Sequence, residues 1–323
     1  MTTPTRVRAG YASAILGTPQ AAKGTAATVF TDGASCALRA TEPSAMIAPL
    51  LPNVATMDVN LGLNSDASYA HPIIVEGTLP VYATSQSLQL LLANNWGSYA
   101  AGTFTLLPSI QATQWLTLAW VEHAADTAYR VTMLRDAWCH EVALESELGA
   151  GPVTMRAKFA AIASTVPTIA ASGLTLPAAP MTPVGQTIFP PQLTTVTRDP
   201  SGLNVTLRAR RLALTFEQGN GRRWNQDSFE VDVFKRGKTI VKLDAWLDWS
   251  DEAWAVLDDM RANSGRTWRV DFVSEAGTTL RCTLYNFTAD VDVIQRRSAE
   301  VGAFHLSGSA ASDGTDFVTL TLT

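Results

Sequence analysis

Residues 238–273 read KTIVKLDAWLDWSDEAWAVLDDMRANSGRTWRVDFV, and this stretch decides the fold because the chain contains it twice. It opens as a strand through Thr239, Ile240, Val241, Leu243 and Trp246, passes Asp248-Trp249-Ser250, and continues as a helix over residues 251–261. Ser250 is the expected N-cap, and Asp251 and Glu252 stand where the positive end of the helix dipole favours carboxylates. Trp254, Leu257 and Arg261 share a face that Val256 and Met260 widen. Asn263-Ser264-Gly265 stops the helix, and a strand follows from Trp268 to Val273.

The earlier copy starts at Ile73-Ile74-Val75 and runs as a strand through Leu79 and Val81. Thr84-Ser85 caps a helix with the stripe Leu88, Leu91 and Leu92. Asn94-Asn95-Trp96-Gly97 ends it, and Trp115–Val121 is the next strand. Setting Ile74 on Ile240 also sets Thr84 on Ser250 and Leu91 on Leu257 without a gap. Such a repeat predicts a tandem duplication.

The rest of the chain extends the repeat. Gly33–Ala40 resembles Gly202–Ala209. In the first half Trp115–Val121, Tyr129–Leu134, Cys139–Leu144 and Val153–Ile162 read as four strands of an antiparallel meander, the last two joined by Gly149-Ala150-Gly151-Pro152. In the second, Thr279–Tyr285, Ala289–Ile294 and Val301–Ser307 follow in the same order, with Arg130–Met133 set against Arg281–Leu284. Phe229–Phe234 alternates as a further strand, Gly102–Gln114 reads as a loop, and the tail 316–322 is a strand with no counterpart before the linker. Residues 1–30 form a small-residue arm that needs a neighbouring surface to order it. Residues 31–165 are the first domain, the Pro-rich segment 166–192 a stiff spacer, and 193–323 the second domain. The segment from Met46 to Asn60 is a long, partly apolar connection.

Composition limits the function. Of 323 residues 46% are hydrophobic and 16% charged, which describes a globular chain whose low charge allows part of its surface to be covered by other subunits. A net charge of −5 lacks the concentrated positive charge of a general nucleic-acid binder. Cys36, Cys139 and Cys282 are odd in number and widely spaced, which fits a reducing compartment and no disulfide framework. No apolar run reads as a signal peptide or membrane span.

The residues that look chemical have simpler readings. Lys235-Arg236-Gly237-Lys238-Thr239 contains Gly-Lys-Thr, but Asp232 stands where a phosphate loop needs its first glycine, so a hairpin turn is expected. Cys139 and His140 are neighbours on one strand and point to opposite faces, so they form no nucleophile–base pair. His71, His123 and His305 are isolated. The acid pairs Glu145/Glu147, Asp258/Asp259 and Asp290/Asp292 read as solvated faces. Asn204-Val205-Thr206 and Asn286-Phe287-Thr288 match a glycosylation pattern without an export signal. Arg208, Arg210-Arg211, Arg222-Arg223 and Arg296-Arg297 are scattered and suit contacts between subunits. Trp115, Trp246, Trp254 and Trp268 are expected in the core. No catalytic, cofactor-binding or metal-binding residue is assigned, no cofactor is expected, and the chain reads as a non-enzyme.

The order of arm, long loop, strand, capped helix and meander resembles the major tail tube protein of long-tailed bacteriophages. The residues that carry the resemblance are Leu16–Pro19 with Lys23–Ala26, Val75-Glu76-Gly77 before the Leu-rich helix, and Glu145–Ala160 around the glycine turn. The resemblance implies a mainly β chain of two tandem β-sandwich, tube-like domains, each with one flanking α-helix. It implies self-assembly into trimeric, pseudo-hexameric rings that stack as a hollow tube, with the arm and long loops ordering on the next ring. Tape measure, tail terminator and baseplate proteins are the implied partners, genomic DNA passes through the lumen without sequence-specific binding, and no membrane is involved. The implied location is the virion tail, after assembly in the host cytoplasm. A tail terminator or baseplate hub ring of the same fold is the alternative, followed by a carbohydrate- or surface-binding β-sandwich.

Overall fold

The computed structural model describes residues 14–30, 36–41, 74–106, 114–125, 128–163, 168–169, 174–176, 187–198, 205–218, 220–224, 231–236, 239–248, 265–290, 294–295, 303–311 and 317–323. The protein is mainly β, with strand at 68% and helix at 9% among the described residues. The first half contributes β1 (Ala14–Pro19), β2 (Cys36–Leu38), β3 (Ile74–Tyr82), β4 (Gly97–Ala100), β5 (Thr103–Leu106), β6 (Leu116–Ala125), β7 (Ala128–Glu147), β8 (Thr154–Ala163) and β9 (Thr168–Ile169). The second contributes β10 (Thr194–Arg198), β11 (Val205–Glu217), β12 (Asn220–Trp224), β13 (Val231–Arg236), β14 (Ile240–Asp248) and β15 (Arg266–Val273). It ends with β16 (Thr279–Asp290), β17 (Ile294–Gln295), β18 (Ala303–Ala311) and β19 (Val318–Leu322).

In the second half β10, β11, β14, β18, β16 and β15 pair in a closed cycle and form a six-stranded antiparallel barrel. Closure requires strands that bend from one side to the other, and β11 and β16 do so. The β11–β14 register shifts between Ala209 and Arg211, and in β16 Asn286 takes φ 50. The first half repeats the cycle as β1, β2, β3, β8, β7 and β6, closed between β2 and β3 by the single bridge Ala40↔Val81.

The two cycles agree residue by residue. Ile15↔Leu38 corresponds to Val196↔Leu207, and Gly17↔Leu118 to Arg198↔Trp268. Leu118↔Leu134 corresponds to Trp268↔Leu284, and Cys139↔Phe159 to Ala289↔Gly308. Val81↔Met155 corresponds to Leu247↔Phe304, and Ala40↔Val81 to Ala209↔Leu247. The strand bends recur as well: Asp136, with φ 53, stands at the place of Asn286. This register sets Leu134 on Leu284, so the sequence match of Arg130–Met133 with Arg281–Leu284 is one residue out, an error that exchanges the two faces of a strand.

Several expectations change. Tyr129–Leu134 and Cys139–Leu144 are one 20-residue strand, β7, because Asp136 absorbs the turn as an irregularity between Arg135 and Trp138. β16 joins Thr279–Tyr285 to the start of the next expected strand in the same way. The expected loop Gly102–Gln114 begins with a strand, β5, which pairs with β4 as a hairpin. Within the arm, β1 buries Ile15 and Leu16 between β2 and β6, so this segment is ordered by its own chain. Gln20 and Gly24 then dock on Asp136, whose Oδ1 accepts from Gly24 N at 2.8 Å and from Gln20 Nε2 at 2.9 Å. The tail strand β19 has its equivalent inside the Pro-rich segment 166–192, where β9 lies on β7 as β19 lies on β16.

The first repeated helix forms as three fused pieces: α1 (Ser85–Ser87), a π-helical turn (Leu88–Leu92) and α2 (Ala93–Trp96). Thr84 caps it with a full capping box, its Oγ1 accepting from Ser87 N at 3.1 Å while Ser87 Oγ accepts from Thr84 N at 2.8 Å. It is buried and not an outer flank. Trp96 packs edge-on against Phe216 of the second half at 5.6 Å and near Phe317 at 6.1 Å. The second expected helix, residues 251–261, lies outside the described residues, as does the segment from Met46 to Asn60.

Nor do the halves stand apart. β7 pairs with β11 from Arg211↔Glu147 to Glu217↔Glu141, β19 pairs with β5, and one apolar cluster runs through both halves.

Candidate assembly surface

The β7–β11 ladder makes β3, β8, β7, β11, β14 and β18 a continuous antiparallel sheet that crosses both halves. Period-two alternation sorts its side chains. Val142, Leu144, Leu212, Leu214, Phe216, Val241, Leu243, Ala245 and Leu247 are buried on one face. The opposite face carries Glu141, Glu145 and Glu147 of β7, Arg211 and Glu217 of β11, and Lys242, Asp244 and Asp248 of β14.

Charges on this face are compensated in place. Glu141 and Glu217 lie directly opposite each other, a destabilising arrangement for like charges. Lys158 Nζ sits 2.7 Å from Glu141 and Lys242 Nζ 2.6 Å from Glu217, which removes the conflict. Arg156 pairs with Glu145, Arg210 with Asp248, and His305 Nε2 with Asp244 at 3.0 Å. Each such exposed pair contributes about 0–1 kcal/mol, so their main effect is on the character of the face. It is polar and studded with both signs, without a run of bases.

Trp246 belongs to this face, stacked on His305 with ring centroids 4.8 Å apart. It was expected in the core, but Ala245 and Leu247 take the inward positions and alternation turns Trp246 the other way. Trp115 and Trp268 are buried as expected, and Trp254 lies outside the described residues.

Cys139 is fully buried, its thiol pushed up to about 12 by desolvation, and its backbone N–H donates to Asn94 Oδ1 at 2.7 Å. His140 is lowered from 6.5, first by burial. The Cys282 thiol is raised, first by burial and then by Asp271. Thr239 is buried and donates to Gln218 Oε1 at 2.8 Å; Gly237 and Lys238 lie outside the described residues, as do His71, Asp258, Asp259, Asp292, Asn204, Arg296 and Arg297. Among the described residues no three His, Cys, Asp or Glu side chains gather as a metal site, and no helix is long and apolar enough to cross a membrane.

The sequence reading missed two features. One is the compensated face, legible in the alternation of Glu141, Glu145 and Glu147 with Val142 and Leu144. The other is a cavity of about 490 Å³ beside the helix, walled by Gln86, Gln89, Tyr99, Gln114 and Trp115. Its walls come from separated segments, so no local signal announces it. Set against known protein families and curated proteins, the chain matches none.

Proposed function

We propose that the chain is a structural virion protein that self-assembles into stacked rings forming a hollow phage tail tube. The observation that carries this reading is the pair of register-equivalent strand cycles joined edge to edge by the β7–β11 ladder. A duplicated unit already joined once by its sheet edges is a ring segment in the making, because repeating the same relation between copies continues the sheet. The resemblance sets the number at three copies, with six units around the ring.

On this reading the compensated face lines the channel, since the opposite face is buried beneath the barrels and the helix. Paired charges offer phosphate neither a basic patch to bind nor a bare wall, so genomic DNA slides through. Tape measure, terminator and baseplate proteins are the proposed partners, and the phage tail is the proposed location. Negative-stain images of the purified chain test the proposal. Rings or tubes with a central channel are expected, and a dispersed monomer at high concentration overturns it. Rings that never stack point to the terminator or hub alternative.

A further inference from the structure

The cavity beside the first helix has the size and the lining of a ligand site. Its volume, about 490 Å³, falls within the range of pockets that hold small molecules. Buried Leu90, Trp115 and Leu116 form its floor, and exposed Gln89 with half-buried Tyr99 and Gln114 form its mouth.

The lining narrows the chemistry of the guest. None of its residues carries a charge, an imidazole, a thiol or a carboxylate, so phosphates, organic acids and metal ions find no counter-charge there. Lys23 Nζ already stands 5.8 Å from the centre of the Trp115 ring, and a cationic guest would meet a like charge where it needs a bare aromatic face. A hydrocarbon would cover the glutamine amides without pairing them. A neutral guest rich in hydroxyls meets none of these objections. The side-chain amides of Gln89 and Gln114 and the Tyr99 hydroxyl have no hydrogen-bond partner among the described residues. Each of these groups can both donate and accept, as a sugar hydroxyl does. The Tyr99 ring, its centroid 4.8 Å from that of Phe104, adds an apolar platform at the mouth. We infer that this cavity binds a neutral saccharide, held by Gln89, Gln114 and Tyr99. The inference is independent of the assembly reading.

Two features of the fold support it. The helix is π-wound at Leu88–Leu92, where the Ala93 N–H reaches back to the Leu88 carbonyl, and this turn carries Gln89 and Leu90 in the cavity wall. Such turns are rare and concentrate at functional sites. The chain from Thr84 to Leu118 is also longer than its counterpart from Ser250 to Trp268, and it is the longer segment that brings Tyr99 and Gln114 to the cavity. The strand cycle does not need that length, because the second half closes without it.

Saturation-transfer NMR on the full chain tests the inference, with glucose, N-acetylglucosamine, cellobiose and chitobiose as probes. At least one probe is expected to bind, and Gln89→Ala with Gln114→Ala to weaken it by about tenfold or more. Gln89→Trp changes an exposed residue, closes the mouth and should abolish binding; urea unfolding checks that it folds, and the alanine pair decides if it does not. No binding by any probe at tens of millimolar overturns the inference, as does binding that survives both sets of changes. Choline or inorganic phosphate that binds and is lost in the same variants overturns it too. If no saccharide binds and Gln89→Trp instead prevents ring formation, the cavity receives a segment of a second copy, and the inference falls while the assembly reading stands. A wild-type chain that binds saccharide but forms no rings overturns the assembly reading alone.

Discussion

Gly308 and Phe287 occupy one site that the first half fills the other way round. In the second half a β-carbon at Gly308 would lie 2.5 Å from the Thr288 carbonyl oxygen and 2.6 Å from Phe287 Cζ. In the first half the equivalent positions are Phe159 and Ala137, both buried. The large side chain has moved from one strand of the pair to the other with the space between them conserved. Gly308→Ala therefore overpacks the seam that closes the barrel, and because one obstacle is backbone the cost is about 3 kcal/mol, the upper part of the range for overpacking. Phe287→Ala leaves a cavity worth about 3–5 kcal/mol. Joining Gly308→Phe to Phe287→Ala rebuilds the arrangement of the first half. The double variant is expected to be less destabilised than the sum of its two single changes by about 2 kcal/mol, the remainder being backbone adjustment at Thr288. Urea unfolding of the four proteins in the cycle measures this. Gly17→Ala is a control, since its β-carbon also meets an atom at 2.5 Å, but that atom is Leu90 Cδ2, a side-chain end beside the cavity that can turn away. Its expected cost is below about 1 kcal/mol. Strictly additive costs in the cycle, or a Gly17→Ala variant as unstable as Gly308→Ala, would refute the reasoning.

Three further outcomes follow from the buried groups. With Cys36 replaced by serine, Cys139 and Cys282 should stay unreactive to a thiol reagent at pH 8 in the folded protein and react fully in urea, because burial holds both thiols protonated; prompt labelling of the native protein contradicts this. His140 has a folded-state value below 6.5, so above that pH both states are neutral and it has no effect on stability. As pH falls below 6.5 the unfolded chain takes the proton first and stability drops, so His140→Gln should flatten the slope of the urea midpoint between pH 7 and pH 5. Asp136→Asn should cost about 1 kcal/mol and Asp136→Ala about 3 kcal/mol, since alanine strands the Gly24 N–H and tolerates the positive φ poorly. Amide exchange confined to residues 20–27 should accelerate with alanine, and a change spread over the whole barrel would argue against a local latch.

Alternation and capping were local, and the sequence showed them. The cap at Thr84, the Leu-rich helix, the strands β6, β8, β14 and β15, and the repeat of Ile74 on Ile240 are all legible in the sequence, because a cap or a period-two strand is decided within a few residues. What length of chain one strand would cover was not local. The residues around Asp136 and Asn286 look like turns on paper, and they become bends inside long strands because neighbours on both edges hold the backbone through them.

By itself the sequence determined a mainly β chain in which the stretch at 238–273 echoes the one beginning at Ile73. Tertiary structure decided that each half closes its strands in the same cycle, and that the true register differs by one residue from the best-looking match in β7 and β16. It also decided that Trp246 faces outward, that the first helix is buried with Trp96 against Phe216, and that β7 meets β11. The reason is physical. Pairing register and edge contact are set by hydrogen bonds and side chains far apart in sequence, as in β7 on β11 and β19 on β5, and only the closed fold brings those partners together.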